Sequence, residues 1–461
     1  MKTDNSPERV AQSLRRRATL LPPGAALPSV RALMREMGVG PATVQQALHA
    51  LAREGVVEAF PGRGTFVAAA TTATTSGDTL WQTLALGPAR AGAADALALA
   101  EVPPAGTYPL NVGYLPPELR ATSLLNVAAS RALRQPGIWD RVPGTGLPAL
   151  RRWFAGAIGC PEHEVIVCPG TQPALAAAFQ GLAGPGSTVL VESPTYLGAL
   201  LAARAAGLVP VPVPTDGEGI RPEPLEAALR ESGARLLYLQ PTHANPTGAS
   251  LAPARRAAVM ELAHRYGLFI LEDDWARDFG FDGGLPPLAA DDPEGHVILL
   301  RSLTKCASPG LRVGALRVRG AAFERLRAAR VAVDFFVPAL LQEAALNLLT
   351  APSWPRHLRR LHAALRARRD ALAVALRARL GEACLDALPS GGLHLWLRLP
   401  READDEAVAR AAARRQVLVS PGRAWFPAEA TEPRLRLSFA AVDPAGATDI
   451  ADRIAAAVRE A

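Results

Sequence analysis

"LRSLTKCASPGLRVG", residues 300–314, sets Lys305 between two apolar runs, three residues after Ser302 and seven before Arg312. The run leading into it, "HVILLRSLTK" (296–305), has four relatives upstream: "EVIVCPG" (164–170), "STVLVESP" (187–194), "RLLYLQP" (235–241) and "LFILEDD" (268–274). Each is a short apolar stretch that ends in polar residues, Gly or Pro, as a strand buried on both faces does. Between them lie Ala/Leu/Arg stretches with helical character, such as "TQPALAAAFQGLAG" (171–184) and "APARRAAVMELAHRYG" (252–267). Strand, helix, strand at this spacing predicts an α/β domain, with a mostly parallel sheet and helices on both faces. In an open sheet of that kind, ligands bind beyond the carboxyl ends of the strands. Lys305 stands at such an end.

A lysine there can form a Schiff base with an aldehyde cofactor. Pyridoxal 5′-phosphate (PLP) then makes further demands. A carboxylate must pair with its ring nitrogen, a donor must meet its 3-oxygen, and an aromatic ring should cover one face. Hydroxyls, an arginine and backbone N–H groups must hold its phosphate. Each demand has a candidate at a strand end. Asp273 closes "LFILE"; Asn245, in "HANPTG", follows "RLLYLQ"; Tyr196, in "ESPTY", follows "TVLVE". Gly170, Thr171 and Gln172 follow "EVIVCP" and open a helix, whose N-terminus suits an anion. Ser302, Thr304 and Arg312 flank Lys305 and can close a phosphate cup. Singly, each has an ordinary reading: an Asp after a strand caps a helix, "NPTG" makes a turn, a Lys beside an apolar run lies on the surface. Their common position at strand ends favours the cofactor reading.

This constellation resembles the fold-type I aminotransferases over roughly residues 107–461. The resemblance implies that Lys305, in "S-x-T-K", holds the cofactor covalently. It implies that Ser302 and Arg312 bind phosphate, that Asp273 pairs with the ring nitrogen, and that Asn245 meets the ring oxygen. "RLRLSFA" (434–440) is similar to the strand whose arginine grips the substrate α-carboxylate, which assigns that task to Arg436. A bidentate guanidinium suits a carboxylate, so the expected ligand is an amino acid or a related amine. "PSGGLHLWLRLP" (389–400) resembles a family segment near the substrate pocket. The resemblance also implies a smaller C-terminal α+β subdomain and a homodimer. Two residues depart from the pattern: Trp275 stands where many members have a tyrosine that donates to the 3-oxygen. Arg141, five residues before Gly146, stands where many have a tyrosine that reaches the partner's phosphate.

The N-terminus has a different composition. Residues 1–69 hold nine Lys/Arg against five Asp/Glu, in a chain of 461 residues with formal net charge +7. Gly40-Pro41 starts a helix, since Pro is favoured in the first turn. Val44, Ala47, Leu48 and Leu51 follow at i, i+3, i+4 and i+7, one buried stripe. The preceding helix, Ser29 to Met37, has its own apolar face, and "MGVG" joins the two tightly. The second helix carries Thr43, Gln45, Gln46 and His49 outward, which fits a helix-turn-helix. "VVEAFPGRGTFV" (56–67) then reads as two strands around a tip bearing Arg63, a wing that can meet a phosphate or a minor groove. An amphipathic bundle would share the periodicity. The order from "LPPGAALPSVR" to "GRGTFV", however, resembles the winged helix-turn-helix of the GntR regulators over residues 8–67. That resemblance implies a double-stranded operator DNA partner and contacts from Arg31, Thr43 and Arg63, while Gln46 lies on the same outward face. Pro41 departs from the arginine that many members carry there.

The expected organisation is therefore a DNA-binding domain (1–69), a polar and Ala-rich linker (70–106) and a PLP-binding aminotransferase-like domain (107–461). This is the layout of MocR-type regulators, and it implies a regulator that senses PLP, an amino compound or both. A working aminotransferase with an appended reader is the alternative. Apolar content of 49% allows large cores. No apolar run of about 18 residues escapes Arg, Gly or Pro, and the N-terminus lacks the apolar segment of a secretory signal. A cytoplasmic protein with no membrane partner is expected. Cys160, Cys168, Cys306 and Cys384 are too scattered for a disulfide framework or a zinc site, so no metal is expected.

Overall fold

The computed structural model describes residues 7–60, 63–68, 79–87, 97 and 99–461. The chain divides into two compact units, Met1–Pro88 and Ala89–Ala461.

The first unit holds helices α1 (Pro7–Thr19), α2 (Val30–Met37) and α3 (Pro41–Arg53), then strands β1 (Val57–Phe60) and β2 (Gly64–Val67). Ser29 caps α2, its side chain accepting the Ala32 N–H at 3.3 Å, and Gly38 ends it in the left-handed conformation at φ 66°. Pro41 sits in the first turn of α3, where its missing N–H costs nothing. The α3 stripe of Val44, Ala47, Leu48 and Leu51 is buried with Val10 and Leu14 of α1 and Leu33 of α2, as the periodicity requires. Strands β1 and β2 pair antiparallel with Phe60 opposite Gly64, and Arg63 precedes β2. The expected tip residues Pro61 and Gly62 lie outside the described residues. So does about half of the expected linker, though a short helix covers Leu80–Ala85 within it.

The second unit is built on an eight-stranded sheet. Its strands are β3 (Val165–Cys168), β4 (Thr188–Ser193), β5 (Val209–Asp216), β6 (Gly219–Ile220), β7 (Leu236–Leu239), β8 (Phe269–Asp274), β9 (Val297–Ser302) and β10 (Gly314–Arg317). Their order across the sheet is β3-β10-β9-β8-β7-β4-β5-β6. The run β9-β8-β7-β4-β5 is parallel throughout. Strand β10 is antiparallel to both neighbours, and β6 turns back along the other edge, so the sheet is mixed.

Alternate residues of each strand face two apolar layers. Ile166, Val189, Tyr238, Leu271 and Ile298 point to one, with Leu175 and Phe179 from α4 (Thr171–Leu182). Val165, Leu190, Leu237, Ile270 and Val297 point to the other. Because both faces are covered, polar groups of these strands can reach a ligand only at the ends.

A long helix, α5 (Trp354–Leu380), leads to a smaller layer. There β11 (His394–Arg398), β12 (Ser420–Pro421) and β13 (Arg434–Ser438) form a sheet in the order β11-β13-β12. Helices Asp405–Arg414 and Ala447–Glu460 belong to this part, as the C-terminal α+β expectation requires. No single helix among the described residues is long and apolar enough to cross a membrane.

Candidate active site and DNA-reading face

Strands β3, β4, β7, β8 and β9 all run the same way, so their carboxyl ends share one edge of the sheet. Every strand-end residue singled out in the sequence lies on that edge.

Asp273, the penultimate residue of β8, is buried. Its Oδ2 accepts from Tyr238 Oη at 2.7 Å and from Gln240 Nε2 at 2.9 Å. Its Oδ1 is buried without a protein partner. Burial pushes the Asp273 carboxyl up to about 6, against the pull of those two hydrogen bonds; Asp274 adds to the rise and Lys305 opposes it. Asp274, one residue on, points the other way and takes Arg277 Nε at 2.6 Å. Strand alternation thus leaves Asp273 as the acid that faces the cleft.

Lys305 lies beyond the end of β9. Its Nζ donates to the Gly113 carbonyl at 2.8 Å and stands 3.7 Å from the centre of the Tyr114 ring. Burial, then the positive charge of Arg436, brings its amine down from 10.5 to about 7. Cys306 beside it is buried, and its thiol is held well above the usual range by burial and by Asp278, so it is not a reactive neighbour.

The anion cradle forms where β3 meets α4. Gly170 has φ 94°, and a Cβ there would come within 2.9 Å of Arg312 Nη2. The guanidinium therefore lies against the glycine, beside the free N–H groups of Thr171 and Gln172. The Gln172 side chain itself turns away, its Nε2 donating to the Gly198 carbonyl at 2.7 Å, which leaves its backbone for an anion. Ser302 Oγ accepts the Thr304 N–H at 3.1 Å, and Thr304 Oγ1 is buried without a partner.

Asn245 is buried; its N–H donates to Gln240 Oε1 at 2.9 Å and its Oδ1 has no partner. Tyr196 follows β4, and burial followed by the Asp273 charge keeps its phenol protonated. Trp275 stacks on His394 of β11, rings 5.7 Å apart, with its Nε1 unpartnered.

Arg436 projects from β13 into the same cleft. It is buried, donates to the Asn111 carbonyl and to Ser420 Oγ, and lies 4.4 Å from the centre of the Trp425 ring. Among the described residues no carboxylate pairs with it. Burial lowers it to about 9, still cationic at neutral pH. A buried cation without a counter-charge is costly to hold, and a ligand carboxylate would relieve it.

The sequence alone does not single out Tyr238, Gln240, His394, Asn111 or Tyr114. Tyr238 and Gln240 sit inside the quoted run "RLLYLQ", yet alternation alone does not say which neighbour a buried polar group meets. His394 is held neutral by burial and by the charges of Arg436 and Lys305.

Asp273 Oδ1, buried without a partner, fits PLP by type as an acceptor for a ring N–H, and Gly170 with Arg312 and the start of α4 suits a phosphate. At Asn245 the unpartnered atom is an acceptor, so it is the NH₂ of the same amide that can donate to a ring oxygen.

In the first unit, Gln45, Gln46, His49 and Arg53 line the outward face of α3, with Thr43 half-buried at its margin. Arg31 is exposed in the first turn of α2, and Arg63 is exposed with its guanidinium 5.7 Å from the centre of the Phe60 ring. Arg15 and Arg17, by contrast, are paired with Glu54 and Glu36.

Comparison with known proteins agrees with both halves. Residues 115–454 match the aminotransferase class I and II family, and residues 7–67 match the bacterial regulatory proteins of the gntR family. The chain is 32% identical to a 2-aminoadipate transaminase of Thermus thermophilus, over 75% of this chain and 89% of that protein. It is 28% identical to the HTH-type transcriptional regulator YisV of Bacillus subtilis, over 91% of this chain and 89% of that one. Among solved structures, LysN, the α-aminoadipate aminotransferase of Thermus thermophilus in complex with N-(5′-phosphopyridoxyl)-L-leucine, superposes with a TM-score of 0.77. That match is 30% identical and covers 82% of this chain and 98% of LysN. The chain belongs to the aminotransferase class I and II family, with a gntR-type DNA-binding domain in front, the layout of MocR-type transcriptional regulators. The cofactor of this fold is pyridoxal 5′-phosphate.

Proposed function

We propose that the protein is a cytoplasmic transcription regulator that reads operator DNA with residues 1–69 and senses PLP, with an amino acid or related amine, through residues 107–461. Residues 70–106 link the two. The observation that carries this reading is Arg436: a buried guanidinium without a carboxylate partner among the described residues, in the cleft that holds Lys305, in a chain that also has a DNA reader.

PLP, when bound, supplies an electron sink at the amine's carbon. Lys305, with an amine near 7, is neutral in about half of molecules at that pH and can attack an aldehyde. Asp273 holds the ring-nitrogen proton at Oδ1. Asn245 meets the 3-oxygen, Tyr196 covers a ring face, and Gly170, Thr171, Gln172, Ser302 and Arg312 hold the phosphate. Arg436 orients the incoming carboxylate, while Trp275 and His394 wall the cleft and exclude water. On DNA, Arg31 and Arg63 serve the phosphates, and Thr43 and Gln46 the base edges.

A homodimer is the working form. Val127, Trp139 and Phe335 are large apolar side chains left more than half exposed. The segments that carry them pack on a shared cluster of Ala132, Ile138 and Ala339. Such a patch marks an interaction surface.

A second reading, a working aminotransferase, is favoured by one observation: the lysine, ring acid, phosphate cradle and carboxylate arginine are all in place. One experiment separates the two. A ligand shifts DNA binding only through different affinities for the two states, and linkage makes the effect reciprocal. Titrating PLP and candidate amines with and without operator DNA should show the same change in both directions, about 5- to 150-fold. Identical ligand curves with and without DNA, alongside sustained transamination, would establish the enzyme reading instead.

A further inference from the structure

Gln240 has no place in the roles above, yet both polar groups of its side chain end at residues of the cofactor site. Its Nε2 donates to Asp273 Oδ2 at 2.9 Å, its Oε1 accepts the Asn245 N–H at 2.9 Å, and its backbone N–H donates to Glu192 Oε2 at 2.8 Å. The side chain is 3% exposed. Asp273 lies one residue before the end of β8, while Asn245 lies in the loop after β7. One planar amide ties these two elements together, and its donor and acceptor lie at a fixed angle. Tyr238 offers a contrast: it donates to the same Asp273 oxygen at 2.7 Å and bonds no part of Asn245.

We infer that Gln240 is a positioning residue, setting with one amide both the acid that faces the cofactor's ring nitrogen and the donor that faces its 3-oxygen. The inference rests on the roles proposed for Asp273 and Asn245.

The chemistry follows. A hydrogen bond to an ionised carboxylate favours the ionised form. Losing the Gln240 amide leaves Asp273 more often protonated, so the ring nitrogen loses its charged partner and its proton. A protonated ring withdraws electrons from the nitrogen shared by Lys305 and the cofactor, so a neutral ring leaves that nitrogen more basic. The titratable and charged groups that act on Asp273 are Asp274 beside it on its own strand, Glu192 and Tyr238 from neighbouring strands, Tyr196 just after β4, and Lys305 across the cleft. Lys305 in turn faces Arg436, Arg312 and His394. All of them are retained when Gln240 alone is changed.

The test is a pH titration of the visible absorption of full-length protein loaded with PLP. In Gln240→Met the midpoint should rise by about one unit. The intensity ratio of the two tautomeric bands, read well below the midpoint, should also change, because that ratio reports the 3-oxygen contact. Tyr238→Phe should raise the midpoint and leave the ratio alone. Gln240→Asn keeps an amide in the cavity but is one methylene too short to span both partners. It should behave as Gln240→Met and serves where that variant does not fold. A folded Gln240 variant with an unchanged midpoint and ratio would overturn the inference; so would a shifted midpoint with an unchanged ratio, which would make Gln240 a second Tyr238. No visible band in the unaltered protein would overturn the role of Lys305 itself, a different failure.

Discussion

The carboxyl edge of the large sheet and the outward face of α3 both face a ligand, but they are built on opposite terms. In the cleft at the sheet edge Asp273, Asn245 and, reaching in from β13 of the smaller sheet, Arg436 are buried, each held by fixed partners with one polar atom left over. Along α3, Gln45, Gln46, His49 and Arg53 line the outward face. A buried polar atom without a partner costs stability, so each one specifies what must arrive: a donor at Asp273 Oδ1 and at Asn245 Oδ1, an anion at Arg436 Nε. An exposed glutamine costs nothing when idle and specifies only that something polar can bind. The cleft therefore defines its ligand chemically, whereas the helix face defines only a class of partner.

The largest expected effect tests the fixed side of that contrast. Lys305→Ala should abolish the visible absorption of protein purified with PLP, since no other lysine lies among the described residues. A variant that kept the wild-type band would show that the sheet edge does not define its ligand at all.

Arg436 comes next. Charged hydrogen bonds contribute about 1.5–3 kcal/mol each, so Arg436→Met should weaken carboxylate-bearing amines roughly tenfold to a hundredfold. Amines without a carboxylate should bind as before. Because the variant also removes a buried, unpaired cation, its melting temperature without ligand should not fall. Equal loss for both kinds of amine, read by spectral titration, would assign Arg436 to the frame of the cleft and leave the ligand's carboxylate unread.

The pH dependence of cofactor capture sharpens the same point with a smaller effect. Burial holds the Lys305 amine near 7 rather than 10.5. The neutral amine is the nucleophile, so the rate of PLP uptake by cofactor-free protein should fall about tenfold per pH unit below 7 and level off above about 8. An ordinary lysine would still be gaining rate at about pH 10. The sign for stability agrees: between about 7 and 10.5 the unfolded chain binds more protons at this residue than the folded one. The lysine's burial therefore penalises the fold less as pH rises through that window.

The sheet edge was also the more legible region in the sequence. Lys305, Asp273, Asn245, Tyr196 and Gly170 each follow an apolar run, and strand alternation assigns Asp273 rather than Asp274 to the cleft. The helices of the first unit were legible for a similar reason: Ser29, Gly38 and Pro41 mark their ends, and Val44 to Leu51 repeat with the helical period. What the sequence hid was lateral. Strand β10 enters antiparallel between β3 and β9, and nothing in "VGALRV" says so, because a strand buried on both faces carries the same residues in either direction. Gln240 was hidden likewise, since its partners come from elements far along the chain. Gln172 shows the reverse case, a residue placed correctly at a helix start whose side chain is spent elsewhere.

The smallest expected effect belongs to the exposed side. Arg63 stands at the end of the β1–β2 hairpin, with no carboxylate partner among the described residues and its guanidinium against Phe60. Arg15 and Arg17 have already spent their charge on Glu54 and Glu36, so the wing offers a cation that the helices' paired arginines do not. If Arg63 neutralises one phosphate, Arg63→Ala should weaken operator and non-specific DNA alike and reduce the slope of log affinity against log salt by about one. Thr43 and Gln46 variants should do the opposite, changing which sequences bind while leaving that slope in place. The measurement is a salt series on operator and scrambled duplexes for each variant. An unchanged slope in Arg63→Ala would remove the wing from the DNA contact. A changed sequence preference in that same variant would place Arg63 against base edges, and the exposed face would then be as specific as the buried cleft.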